Sequence, residues 1–234
     1  MIGRRFRRWS AALLLVLAAP AGAAPYTCPR VNWSRELEAD ALAYKLVQAP
    51  AGNVLYAVGG IGSGESARLQ RALGRVMQEP GGLHEVWLNS PGGNAVEGIR
   101  MGQVLRRMGA ATRILGGHIC MSACSYAFLG GVFRAVDDGG AYGLHMFSAA
   151  ASRAEAMVGA LVADAKQRQG LRQTMGRVQA IEQSVAQTAA IRYEFLLEMG
   201  VSVRVARFAF SVEANDMGCP PRSVLTEWNV VNTE

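Results

Sequence analysis

Long apolar runs are scarce in this chain. The one sustained run, Ala11 to Ala19, is much shorter than the ~20 residues a bilayer-spanning helix needs, so no stable membrane anchor is expected. Lysine is nearly absent, with Lys45 and Lys166 the only two, which leaves little room for chemistry built on an amine. Basic charge is also thinner than the formal +6 suggests, because Arg4, Arg5, Arg7 and Arg8 crowd the first residues and their removal leaves about +2. A nucleic-acid partner is therefore not indicated. Beyond residue 24 there is no internal repeat other than the alternation of strand and helix and no low-complexity tract, which argues against solenoid and fibrous architectures.

What is present begins with an address. The arginines, the apolar run and the small-residue stretch Ala21-Gly22-Ala23-Ala24 have the three-part layout of a secretory signal, with cleavage expected after Ala23 or Ala24. Residues 1–23 are thus expected to be a signal peptide and residues 24–234 a single domain, exported to the periplasm or beyond. Roughly 210 residues suffice for one core and are too few for two ordinary domains.

The four cysteines are Cys28, Cys120, Cys124 and Cys219, and an even count in an oxidising compartment favours disulfides over free thiols. Three connectivities are open. Pairing Cys28 with Cys219 ties down both ends of the mature chain, and pairing Cys120 with Cys124 stiffens the turn between them, the arrangement favoured here.

Val54 to Ile61 has the pattern of a buried strand, and Ser63 is placed to cap a helix with Leu69, Leu73 and Val76 on one face. A strand at 84–89, an amphipathic helix at 94–108, a strand at 111–115 and a helix opened by Ser122 follow. This alternation argues for a parallel sheet with helical crossovers. Short strands are expected between Arg134 and Phe147, a largely helical segment over 152–199, and a mixed ending with a turn at Gly218-Cys-Pro-Pro221.

Two blocks carry chemistry. Leu88-Asn-Ser-Pro-Gly-Gly93 ends a strand with two glycines, where free backbone N–H groups can face an oxygen anion. Ser122 follows Gly93 by 29 positions inside Ile119-Cys-Met-Ser-Ala-Cys-Ser125, and His145 follows Ser122 by 23. Judged alone, Ser122 is an ordinary helix cap and His145 an ordinary core histidine. Ser125 competes with Ser122 as a nucleophile, but choosing it breaks the register with Gly93.

Together these blocks, over about residues 54–147, resemble the proteolytic subunit of the Clp protease and, more broadly, the crotonase-like superfamily that includes signal peptide peptidase A. The resemblance implies an α/β fold of repeated strand-helix units with a helical C-terminal part. It further implies a serine peptidase with Ser122 as nucleophile, His145 as base, and the backbone N–H groups of Gly93 and Ala123 as oxyanion hole. The interval expected for the orienting acid falls nearest Glu194, with Glu182, Glu198 and Asp216 as alternatives. A Ser-Lys relative would use Lys166 as its base. No cofactor is implied. The expected partner is a peptide or protein substrate, and homo-oligomerisation follows by analogy.

Three rival readings remain. His118, Cys120, Cys124 and His145 form a conceivable zinc set, but their spacing is not a common framework and export favours oxidised cysteines. An acyl-CoA enzyme would use the same oxyanion hole but needs a cofactor scarce outside the cytoplasm. A noncatalytic binding or scaffold protein on this fold is the remaining alternative.

Overall fold

The structure is a computed structural model and describes residues 26–31, 33–146 and 171–233, together with Gly159 and Ala163. The expected signal peptide, Lys166 and most of residues 152–170, the first part of the helical segment expected over 152–199, lie outside the described residues.

A hairpin starts the main sheet. Strand β1 (Ala43–Ala49) pairs antiparallel with β2 (Gly52–Val58), with Ala49 opposite Gly52. β1 had no clear sequence signature, because as the exposed edge it carries Lys45 and Gln48 among its apolar residues. Charge on an edge strand is a common guard against unwanted pairing. β2 is its opposite: Val54, Leu55, Ala57 and Val58 are all buried, as expected of a strand covered on both faces.

Helix α1 (Glu65–Val76), β3 (Leu83–Asn89), helix α2 (Ala95–Arg107), β4 (Thr112–Ile114), β5 (Ile119–Met121), helix α3 (Ala123–Leu129), β6 (Arg134–Val136) and β7 (Ala141–Gly143) follow in order. The main sheet runs β1-β2-β3-β4-β6, parallel from β2 onward. The expected α/β architecture of strand-helix units is therefore found. One local expectation fails: α1 is preceded by Gly64 in the left-handed region (φ 75°) rather than capped by Ser63.

β5 and β7 leave the main sheet and pair parallel in a second, smaller one. Single bridges prolong that layer, joining Ile61 to Gly93, Ser90 to Cys120 and Leu144 to Gly218. The chain leaving β3 thus crosses from the large sheet into the small one, and the Ser90 to Gly93 segment lies beside β5.

Helices α2 and α3 meet at backbone distance. A Cβ at Gly98 would lie 2.2 Å from the carbonyl oxygen of Ala123, and one at Gly102 would lie 2.7 Å from that of Tyr126. The absence of side chains at both positions lets α2 brace the first turn of α3, which fixes where the residue before it points.

The C-terminal part is helical: α4 (Leu171–Glu198), α5 (Arg204–Ser211) and α6 (Arg222–Glu227). α4 docks through its last turns, where Phe195, Leu196 and Met199 are buried. The buried Arg134 guanidinium holds the chain end by donating to the carbonyls of Gly131, Asn229 and Val230. Disulfides join Cys28 to Cys219 and Cys120 to Cys124. Among the described residues no helix is long and apolar enough to cross a membrane.

Candidate functional site

Three polar side chains, those of Asn89, Ser90 and Asn94, anchor the segment between β3 and α2. The Asn89 side chain accepts from Ile119 N–H (3.1 Å) and donates to the Tyr56 hydroxyl (3.0 Å), tying the end of β3 to the start of β5. Ser90 Oγ accepts from Gly92 N–H at 3.1 Å, which sets the following turn. Asn94 caps α2 by accepting from the N–H groups of Val96 and Glu97, satisfying donors that the helix itself cannot.

Gly93 is left between these anchors. Its bridge to Ile61 uses the Gly92 carbonyl and the Asn94 N–H, both at 2.8 Å. In parallel pairing the residue between those two groups directs its own N–H to the opposite edge, here the edge beside β5. A Cβ at Gly92 would sit 2.5 Å from Met121 O, 2.8 Å from Ser122 Cβ and 2.9 Å from Ala123 N. The glycine turn and the Ser122 turn are therefore packed backbone to backbone.

Ser122 lies between β5 and α3 with φ 55° and ψ −118°, a region that costs a non-glycine residue ~1 to 3 kcal/mol and tends to mark functional sites. Although it occupies the N-cap position, its side chain makes no capping bond. The hydroxyl points instead at His145, with Oγ 2.7 Å from Nε2. Ser122 N–H donates to Gly143 O at 3.0 Å, joining the turn to the strand that leads into His145.

The other imidazole nitrogen decides the tautomer. His145 Nδ1 is 2.9 Å from the backbone carbonyl of Ala214, and a carbonyl only accepts, so Nδ1 carries the proton and Nε2 presents its lone pair to the serine. Burial pushes the His145 pKa below its ordinary value, and the positive charge of Arg192 acts in the same direction, while the bond to Ala214 opposes them. The segment carrying Ala214 is held by Met146 N–H on Val212 O and by reciprocal bonds between Leu144 and Gly218, each 2.9 Å.

The other sequence-selected residues fall away from this centre. Glu194 is exposed on α4, and the place an acid would take at Nδ1 is filled by the Ala214 carbonyl. Glu198 accepts from Gln103, Asp216 accepts from the N–H of Met217, and Glu182 is exposed. Ser125 is buried, its hydroxyl within reach of the Cys120 carbonyl at 3.1 Å and the Gly143 carbonyl at 2.5 Å, so it braces the turn and has no access to His145. Cys120 and Cys124 are bonded to each other, which removes both thiolates from the zinc set. His118 is half-buried, with Nδ1 near Gly116 O and its ring edge-on to Tyr56; His84, which the sequence does not single out, is exposed beside Glu85.

The residue that sequence reasoning missed is Ala214. Its contribution is a main-chain carbonyl, which every residue possesses, so no side-chain signal marks it.

No protein-family model matches the chain, and no curated protein matches it. Among solved structures it is similar to a ClpP1 mutant from Listeria monocytogenes, at 12% identity and a TM-score of 0.46 over 76% of this chain and 87% of that one. At that level of similarity the function has to be argued from the site.

Proposed function

We propose that the protein is an exported serine peptidase that cleaves peptide bonds through an acyl-enzyme. Ser122 Oγ attacks the scissile carbonyl while its proton passes to His145 Nε2. The carbonyl oxygen becomes an anion facing the N–H groups of Gly93 and Ala123, the latter among the unpaired donors at the start of α3. His145 then gives the proton to the leaving amine. A water molecule, deprotonated by His145, hydrolyses the ester and restores the serine. No step needs a cofactor or a metal.

The observation that carries this reading is a strained, uncapped Ser122 whose hydroxyl is bonded to a histidine of fixed tautomer. The Ala214 carbonyl orients the ring as a carboxylate would. It lacks the full negative charge that would stabilise the imidazolium, so the catalytic unit is a serine-histidine dyad with a main-chain support. Removal of residues 1–23 would deliver residues 24–234 as one domain to the periplasm, where both disulfides can form. Flexible peptides are the proposed substrates, and self-association is proposed by analogy with the resembling families.

Turnover of an unstructured fluorogenic peptide, with rapid-mixing detection of an acyl-enzyme burst, tests the proposal. A burst equal to the enzyme concentration supports it. Absence of turnover and burst across a panel of peptides and activated esters favours a noncatalytic scaffold.

Two further outcomes follow from the ring's surroundings. The base is neutral imidazole, so a depressed His145 pKa moves protonation to lower pH and keeps the enzyme active into mildly acidic solution. The acid limb of kcat/KM should have its midpoint below ~6.5, and a midpoint at or above that value contradicts the described environment. Glu194→Gln should change kcat/KM by no more than about twofold, because an exposed side chain that does not touch the base contributes little. A loss of a hundredfold would restore the acid role.

A further inference from the structure

We propose that the Cys120–Cys124 disulfide is a positioning device for the nucleophile, holding the Ser122 turn in the conformation that aims its hydroxyl at His145. The inference rests on the peptidase reading and extends it to two residues outside the dyad.

The bond closes around the reactive residue. Only Met121, Ser122 and Ala123 lie between the cysteines, so one anchor is in β5 and the other in the first turn of α3. The enclosed residue is one of two non-glycine residues with positive φ among those described. A conformation of that kind persists only where its surroundings enforce it. The neighbouring chain supplies part of the constraint: Ser90 O accepts from Met121 N–H at 3.0 Å, and Gly143 O accepts from Ser122 N–H at 3.0 Å. Ser125 adds a side-chain brace at the Cys120 and Gly143 carbonyls. The disulfide is the covalent member of this set.

Its small span argues that its value is local. A crosslink stabilises a fold by an amount that rises with the logarithm of the loop it closes in the unfolded chain. Cys120–Cys124 has a separation of 4 residues against 191 for Cys28–Cys219, so the short bond does the less for global stability. Both of its sulfurs belong to fully buried residues, which shields the bond in the folded protein and makes it a fixed part of the turn.

The test compares wild type with Cys120→Ala/Cys124→Ala, using a fluorophosphonate probe to separate the inactivation rate constant from probe affinity, alongside the melting temperature. The expected result is an inactivation rate constant lower by about tenfold or more, with probe affinity within about twofold and only a small loss of Tm. If that variant does not fold, Cys120→Val/Cys124→Ala, which restores some lost volume, takes its place. A folded variant that reacts as fast as wild type overturns the proposal. A folded wild type that takes no label overturns the peptidase reading instead. The brace is then read from the His145 ring nitrogens by NMR: different shifts in wild type and variant support it, and identical shifts overturn it.

Discussion

His145→Ala is expected to lower the rate of acyl-enzyme formation by about 10³-fold, the usual scale for loss of a positioned general base. The hydroxyl of Ser122 is a poor nucleophile while it keeps its proton, and His145 Nε2, at 2.7 Å, is the group placed to take it. The change removes a half-buried ring whose Nδ1 also bonds Ala214, so some stability is lost with it. His145→Gln separates the two effects, because an amide can donate to the Ala214 carbonyl yet is no base. Both variants should therefore be equally slow in a stopped-flow burst assay, with the glutamine form closer to wild type in Tm. Retention of the burst by either would remove His145 from the chemistry.

Gly92→Ala should be almost as damaging, although the residue donates nothing to the reaction. Its φ of 100° is one that L residues rarely adopt, and the added methyl would meet Met121 O, Ser122 Cβ and Ala123 N at 2.5 to 2.9 Å. Two of those atoms belong to the nucleophile turn and one to the proposed oxyanion hole. Relief requires the glycine turn and the serine turn to separate, and a displacement near 1 Å in such a site costs about 10²-fold in rate. The backbone strain adds ~1 to 3 kcal/mol of destabilisation. The expected pattern is a hundredfold fall in kcat with a measurable fall in Tm, checked by steady-state kinetics and thermal unfolding on the same preparation. Near-normal kcat would mean that the two turns are not coupled as described.

The parts of the fold that depend on side-chain pattern were legible in advance. Strand β2 with its buried run, α2 with its apolar face, and the breaks at Gly93 and Ser122 each follow from local residue choice, and their order implied a parallel sheet. β1 was missed because an edge strand has no continuous buried face. The start of α1 was misassigned because Gly64 supplies a left-handed turn where Ser63 offered a side-chain cap. At the site, Ser122 and His145 are brought together as their spacing suggested. Glu194 was selected for an interval along the chain, and that interval carries no information about which main-chain carbonyl reaches Nδ1. The partner, Ala214, arrives through a segment whose main chain is hydrogen-bonded to Leu144 and Met146, just after β7, a relation that no residue type announces.

Intact-mass measurement after fluorophosphonate treatment tests the account most directly, with wild type, Ser122→Ala and Ser125→Ala taken in parallel. The account predicts one adduct on wild type and on Ser125→Ala, and none on Ser122→Ala. An adduct that survives Ser122→Ala, or a folded wild type that gains no mass across the pH range where His145 is neutral, would contradict it.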